Sequence, residues 1–346
     1  MDLLDAMARE GFEEVVAWHD RRSGLTAYLA VHDTSAGPAF GGIRRFGYRG
    51  EREALLDALR LARAMTFKCV LADLPAGGAK VVALDRPGVD WQVAYEALGE
   101  HVERMGGRFY TGPDVGTGEA ELGWLTARTR FATDPGPAGP GELAASTAEG
   151  VFRGIEAGLR HLDGAEDWER RRVVVQGLGA VGSRLAARLV GRGVCVLGAD
   201  IDDERALSVA EELGLELVDP ARAMDTECDV YAPCAMGGSV HDVTLERLRC
   251  RVLAGAANNV LARPHHGDRL LERGVLYAPD VVINSGALVR GAIFHLEGRR
   301  EAVEAIGLRV GAAVTRVLER ARSEGEPPAR VAEREAVERL AERRRT

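Results

Sequence analysis

The chain has 346 residues, 46% hydrophobic and 28% charged, with a formal net charge of −8. That is the composition of a soluble globular protein long enough for two domains. The acidity, with no long basic run, argues against nucleic acid and anionic membranes as partners. Five cysteines, Cys69, Cys195, Cys228, Cys234 and Cys250, are odd in number and lack metal-ligand spacing, so reduced, mostly buried thiols, a cytoplasmic compartment and no metal site are expected.

The opening stretch MDLLDAMAREGFEE has no basic segment before an apolar core, and no apolar run reaches spanning length; neither export nor membrane insertion is expected. From Leu25 to His32 apolar residues alternate, which predicts a strand, read as an apolar edge available for oligomer formation. Between Glu51 and Lys68, Leu55, Leu59, Ala62 and Met65 recur at helical spacing and bring Lys68 to the helix's C-terminal end. A strand from Lys80 to Leu84 is expected after a loop Leu74-Pro-Ala-Gly-Gly-Ala79, and a third at 107–111 running into Gly112-Pro113-Asp114. Lys68, Lys80 and Asp114 would then all sit at element ends, where functional side chains are commonly presented.

The stretch from Phe131 to Gly150 is rich in proline and glycine and reads as a linker. Beyond it short apolar runs alternate with helical ones: Val173–Gln176, Val194–Asp200, Leu215–Val218, Val230–Ala232, Val252–Ala254 and Val281–Asn284. Such alternation predicts a parallel sheet wrapped by helices. The tail from Glu301 is helical, broken at Pro327-Pro328, with its last helix expected to pack back on the first domain. The fold class is therefore α/β: an N-terminal α/β substrate and oligomerisation domain at 1–140, joined by a helix at about 325–346, and a doubly wound Rossmann domain at 141–324.

Within the second domain, Gly177-Leu178-Gly179-Ala180-Val181-Gly182 follows an apolar strand and opens a helix. In this arrangement the first glycine permits the turn, the second admits a pyrophosphate, and the third packs helix on strand. Asp200 ends the next strand, 18 residues after Gly182, where a carboxylate can accept ribose hydroxyls. Ile201-Asp202-Asp203 offers no adjacent basic residue for a 2′-phosphate, so NAD rather than NADP is the expected cofactor.

A nicotinamide domain moves hydride, and the other domain must then hold the carbon that gives it up. Only two lysines, Lys68 and Lys80, stand against 43 arginines, twelve residues apart. Arginine stays protonated, whereas a lysine amine loses its proton when desolvated or set beside another cation. Lys68 suits a grip on an α-carboxylate, Lys80 a base, and Asp114 its partner in proton relay.

The runs Gly37-Pro-Ala-Phe-Gly-Gly42, Met65-Thr-Phe-Lys68, Leu74-Pro-Ala-Gly-Gly-Ala-Lys80, Thr111-Gly-Pro-Asp114-Val-Gly, Asp229-Val-Tyr-Ala-Pro-Cys-Ala235, Ala254-Gly-Ala-Ala-Asn258-Asn259 and Tyr277-Ala-Pro-Asp-Val-Val-Ile-Asn284-Ser-Gly286 resemble the leucine, valine and phenylalanine dehydrogenases, relatives of glutamate dehydrogenase. The resemblance implies reversible oxidative deamination of an L-amino acid to its 2-oxo acid and ammonia, with NAD reduced. It implies that Lys80 is the general base and Asp114 its partner, and that Lys68, the Gly41 backbone and Asn259 hold the carboxylate. It further implies that Thr147, Asn258 and Asn284 hold the nicotinamide end and that Ala232, Cys234 and Ala235 lie near the adenosine ribose, with Ala180, Val181 and Ile201 also at the cofactor. One departure is Ala79, where a third glycine is usual. A homo-oligomer is implied as well.

By the same resemblance Phe40, Met65, Gly112, Leu288 and Gly291 line the side-chain pocket. Glycine at 112 with leucine at 288 is similar to phenylalanine-preferring members, so L-phenylalanine is the expected substrate, with leucine, valine or tryptophan next. Glutamate is disfavoured because no third lysine exists to meet its side chain, although Arg290 is a possible substitute. Two readings compete: an NAD-binding regulator without turnover, and a lyase with Lys80 as Schiff-base nucleophile.

Overall fold

In the computed structural model, residues 3–164, 168–235 and 237–345 are described. They form two compact units. The first holds residues up to Gly141, Gly291–Arg300 and the tail from Ala336; the second holds Glu142–Arg290 and Glu301–Glu335.

The first unit runs α1 (Leu3–Glu10), β1 (Glu14–Asp20), β2 (Leu25–Asp33), β3 (Ala39–Phe46), α2 (Glu51–Leu71), β4 (Gly77–Leu84), α3 (Trp91–Arg104), β5 (Phe109–Gly112) and α4 (Glu119–Thr126). Its five strands are ordered β1-β2-β4-β3-β5. The β1–β2 and β2–β4 pairs are antiparallel, and β3 is parallel to both β4 and β5. Strand Leu25–His32 is thus internal, not an edge: Glu14–Asp20, whose alternation is masked by Trp18 and His19, pairs along its whole length.

Because side chains alternate across a strand, β4 feeds two cores. Ala79, Val81 and Ala83 join Leu25, Leu29, Tyr95 and Leu98 on the α3 side. Val82 and Leu84 join Ala54, Ala58 and Ala62 on the α2 side. Of the expected loop Leu74–Ala79, Gly77, Gly78 and Ala79 are instead the start of this strand. Its glycines answer to close packing rather than to a turn: a Cβ on Gly77 would lie 1.7 Å from the Asp33 carbonyl oxygen, and one on Gly78 2.1 Å from the Thr66 nitrogen of α2.

The second unit runs α5 (Leu143–Asp163), β6 (Arg172–Gln176), α6 (Gly182–Val190), β7 (Cys195–Ala199), α7 (Asp203–Leu213), β8 (Glu216–Leu217), β9 (Cys228–Pro233), α8 (Asp242–Leu245), β10 (Cys250–Leu253), α9 (His266–Glu272), β11 (Leu276–Tyr277) and α10 (Asp280–Ile283). Three more helices, α11 (Gly286–Glu297), α12 (Val303–Glu324) and α13 (Pro328–Arg343), complete the chain. The six parallel strands are ordered β11-β10-β9-β6-β7-β8, a doubly wound Rossmann sheet whose order reverses between β6 and β9.

Three expectations are corrected here. Val281–Asn284 is not a strand: Pro279 is extended ahead of a helical turn, and Asp280 accepts the Tyr277 hydroxyl at 2.8 Å, so the chain turns after the two-residue β11. The stretch 131–150 is a linker only to Glu142, since the alanine-rich half is already α5. The compact units divide after Gly141, and the tail rejoins the first unit at Ala336 rather than 325, because Val331 and Ala332 are buried in the second unit's share of α13 while Arg339, Arg343 and Arg344 reach Asp73, the Leu74 carbonyl and Asp33.

Candidate active site

Strand β4 carries Lys80 in its interior, as its fourth residue, not at an element end. The register that pairs Ile43 with Val81 sets Gly42 level with Lys80, and Gly42 pairs in turn with Gly112. Two neighbouring positions therefore lack side chains. A Cβ on Gly42 would lie 2.6 Å from the Pro113 carbonyl and 3.1 Å from the Asp114 Cβ, so this glycine lets the turn after β5 fold down onto the sheet. That turn is closed by Gly116 at φ +75 and by Tyr95, whose hydroxyl lies 2.5 Å from Thr117 Oγ1.

The result is an ion pair: Lys80 Nζ lies 2.5 Å from Asp114 Oδ2, with Lys80 only 5% exposed. The Val115 amide donates to Asp114 at 2.7 Å. Burial by itself pushes the Asp114 carboxyl up, but Lys80 and Arg44 beside it outweigh burial and bring it down to about 2. With Lys80 charged, Asp114 is therefore an anion in the resting pair.

Lys68 stands in the last turn of α2, whose Ala62–Thr66 backbone rests directly on Gly78, two residues before Lys80. Met65 is half-buried in the same turn. Gly41 cannot carry a side chain, since its Cβ would sit 1.8 Å from the Ala79 carbonyl. The Ala79 methyl itself is buried in the α3-side core, on the face opposite Lys80. Phe40, 5% exposed, stacks on Tyr110 at 5.1 Å, and His295 lies 4.8 Å from Tyr110. Burial lowers the His295 pKa, leaving a neutral ring. Gly112 does not open space on its Cβ side, where the Thr133 hydroxyl would be 2.8 Å away; at Gly291 nothing lies within 4 Å. Leu288, half-buried, is three residues before Gly291 in α11.

In the second unit each glycine of the fingerprint has its own geometry. Gly177 takes φ +95 against the Ala235 nitrogen, 2.9 Å from a would-be Cβ; Gly182 packs on the Gly177 carbonyl at 1.8 Å; Gly179 faces nothing within 4 Å. The open position is the one where a pyrophosphate must approach backbone. Ala180 and Val181 carry the turn into α6, and the end of β9, with Ala232, Cys234 and Ala235, abuts it.

Asp200, 7% exposed, accepts the amides of Leu178 at 2.7 Å and Asp202 at 3.0 Å. Burial opposes its ionisation, but these two amides and Arg205 together lower its pKa. The absence of a neighbouring base is corrected: Asp202 caps α7 by accepting the Arg205 amide, and that first turn returns the Arg205 guanidinium to within 3.3 Å of Asp200. Ile201 beside it is 92% exposed.

Asn284 donates from Nδ2 to the Ala256 and Ala257 carbonyls and to Asn258 Oδ1, at 2.9–3.2 Å, while its own Oδ1 is buried with no hydrogen-bond partner. An orphaned buried acceptor fits a carboxamide N–H donor, as at the nicotinamide end of NAD. Thr147 Oγ1 accepts the Ala287 amide at 3.1 Å, and Asn259 stands at φ 51 with its amide on Asp280. The residues present thus suit a dinucleotide.

Residues 13–131 match the family described as Glu/Leu/Phe/Val dehydrogenase, dimerisation domain, and 199–345 match Glutamate/Leucine/Phenylalanine/Valine dehydrogenase. The chain belongs to the Glu/Leu/Phe/Val dehydrogenase family. It is 38% identical to the leucine dehydrogenase of Thermoactinomyces intermedius over 349 residues, covering 100% of this chain and 95% of that one. With the phenylalanine dehydrogenase of the same organism it shares 39% over 345 residues, covering 98% and 94%. Among solved structures, L-tryptophan dehydrogenase from Nostoc punctiforme is similar with a TM-score of 0.85 and 32% identity, covering 99% of this chain and 100% of that chain. The protein is accordingly an amino-acid dehydrogenase of the leucine, phenylalanine, valine and tryptophan type, and its cofactor is NAD. Identity alone does not choose between leucine and phenylalanine.

For this dehydrogenase two groups escaped the sequence reading. Arg44 of β3 lies 3.3 Å from Asp114 through both Nε and Nη2, yet one arginine among 43 carries no signal. Arg205 was passed over because its contact with Asp200 depends on the first turn of α7. Among the described residues one group of three side chains has metal-ligand proximity, Asp242, His265 and His266. His266 Nδ1 accepts the Arg263 amide at 3.1 Å, so its proton sits on Nε2, which faces Asp242 at 3.2 Å; that is a hydrogen bond, not a ligand set.

Proposed function

We propose that the enzyme oxidatively deaminates an apolar L-amino acid, L-phenylalanine before leucine or valine, to the 2-oxo acid and ammonia. The observation that carries the reaction is the buried Lys80–Asp114 pair at 2.5 Å in a chain that spends lysine nowhere else but Lys68. Lys68, with the Gly41 backbone, holds the α-carboxylate. Asp200 would hold the ribose of NAD and Thr147, Asn258 and Asn284 its nicotinamide end, and the bound cofactor would supply the hydride acceptor. Lys80 takes the proton of a water that adds to the substrate imine and returns it to the departing amine; Asp114 relays it.

The aromatic wall of Phe40, Tyr110 and His295 and the room at Gly291 support an aromatic side chain. Glutamate is disfavoured, as Arg290 is engaged by Ser146 at 2.6 Å and Glu142 at 3.7 Å. A leucine preference is the second reading, favoured by Gly112, whose missing Cβ points at Thr133 and adds no pocket volume there. We also place the enzyme in the cytoplasm as a homo-oligomer formed through its first unit. All five cysteines are unpaired, Cys195 exposed, and no described helix is long and apolar enough to cross a membrane.

The test is NADH formation in alkaline buffer with NAD and L-phenylalanine, L-tryptophan, L-leucine, L-valine or L-glutamate. Phenylalanine fastest supports the full reading; leucine or valine fastest keeps the mechanism and overturns the pocket assignment. NAD binding without turnover of any of them would favour a regulator, and a borohydride-trapped substrate adduct on Lys80 would favour the lyase.

A further inference from the structure

Asp114 meets two cations, and only one of them has a part in the proton chemistry. Arg44 reaches the carboxylate from β3, Nη2 donating to Oδ1 at 3.3 Å while Nε lies at ion-pair distance, 3.3 Å, from Oδ2 without a hydrogen bond. Its remaining nitrogen, Nη1, lies 3.2 Å from Asp57 Oδ2 of α2, and the Tyr48 hydroxyl donates to that same oxygen at 2.7 Å. Arg60 closes the far side of Asp57 at 2.6 Å. A planar guanidinium engaged on both carboxylates has little rotational freedom left.

We propose that Arg44 is a positioning residue of this dehydrogenase: fixed by Asp57 and Tyr48, it holds the Asp114 carboxylate turned toward Lys80 and divides its negative charge between two cations. The inference rests on the reading of Lys80 as the base. Were Asp114 to serve Lys80 alone, the full anion would stabilise the ammonium and keep the base protonated. Arg44 takes part of that charge and adds a cation of its own nearby, so both effects favour neutral Lys80.

The charged and titratable groups facing the pair come from each element around it. Lys80 lies on β4, Arg44 on β3, Asp57 and Arg60 on α2, and Tyr48 follows β3. Arg45 and Glu121, 3.5 Å apart, flank the Asp114 turn, where with Asp114, Gly116, Thr117 and Gly118 they line an open surface depression. Burial and the Asp57 hydrogen bond raise the Tyr48 pKa, so its phenol stays protonated while Asp57 is an anion. Within this set only Lys80 and Arg44 touch Asp114, so Arg44 is the cation other than the base itself whose removal changes the charge seen by Asp114 directly.

The experiment is the pH profile of kcat/KM with NAD and the fastest amino acid for wild type, Arg44→Met, Arg44→Lys, Asp57→Asn and Lys80→Ala, with NAD binding measured alongside. In Arg44→Met the limb set by deprotonation of the base is expected to move to higher pH by about one unit, and turnover below it to fall about tenfold, with NAD affinity unchanged. Arg44→Lys should recover about half of that displacement, since the charge returns without the fork. Asp57→Asn should move the limb the other way by a few tenths of a unit, because the charge of Arg44, no longer shared with a second carboxylate, acts on Asp114 alone. An unmoved limb in Arg44→Met overturns the proposal even if the rate falls, for a merely structural loss scales the profile without displacing it. If Arg44→Met does not fold, Asp57→Asn decides: a shift to lower pH supports the role, and none overturns it. Lys80→Ala separates the premises: an inactive variant beside an unmoved Arg44→Met limb sinks Arg44 alone, whereas a persisting limb in Lys80→Ala sinks the base assignment and Arg44 with it.

Discussion

The two units hold their key carboxylates by opposite means. Asp114 in the first is buried between Lys80 and Arg44, cations that the sheet itself carries on neighbouring strands. Asp200 in the second is held mainly by the backbone amides of Leu178 and Asp202, with the half-exposed Arg205 leaning on it. A carboxylate clamped by two desolvated cations is part of a charge cluster in which each member sets the others. One held by amides keeps its geometry when the nearby cation moves, so its electrostatics can be tuned without disturbing the turn.

Lys80→Ala presses hardest on this contrast. It should cost turnover on the order of 10²–10⁴-fold with NAD binding nearly unchanged, as checked by steady-state rates and cofactor titration. Wild-type-like turnover would remove Lys80 as base.

Acid sharpens the comparison on stability. His32 in the first unit is 1% exposed, with Nδ1 2.8 Å from Thr66 Oγ1 and Nε2 3.2 Å from the Glu10 carbonyl. Burial, with Arg344 nearby, lowers its pKa from 6.5 to about 4. The unfolded chain therefore binds this proton first as pH falls. The contribution is complete above 6.5 and lost between 6.5 and about 4, and it amounts to at most ~3 kcal/mol. Asp114, depressed to about 2, begins to count only below that window. Urea midpoints across pH 7 to 4 should fall for the wild type and much less for His32→Gln; parallel curves would show that His32 is not the group.

Asp200→Gly should weaken NAD about tenfold or more relative to NADP, the loss of two charge-assisted ribose hydrogen bonds. An unchanged preference would take Asp200 out of the cofactor site. The smallest effect belongs to Arg205→Ala, expected to sharpen NAD over NADP by only a few-fold, since an exposed ion pair contributes about 1 kcal/mol or less. A sharper loss of NAD binding there would mean that Arg205 supports Asp200 more than the amides do.

The glycine fingerprint was readable because its three residues answer to three separate constraints at fixed spacing, and the alternating apolar runs gave the parallel sheet with it. Val281–Asn284 reads as a strand because three apolar residues in a row have no period to distinguish strand from helix; Pro279 and the Tyr277–Asp280 hydrogen bond decide for the helix. Gly77 and Gly78 were read as a loop for the same reason a turn attracts glycine, whereas here the demand comes from Asp33 and Thr66, distant in sequence. Lys80 stood out by rarity. Arg44 could not, because its meaning comes wholly from what β5 and α2 bring to it.

The near absence of lysine has a practical side. Of all the side chains, an amine-directed reagent can meet only Lys68 and Lys80, both in the first unit, while every other cation is a guanidinium or an imidazole. With Lys80 buried, Lys68 is the side-chain amine left for covalent immobilisation or labelling, and the exposed Cys195 thiol of the second unit offers a handle away from both lysines.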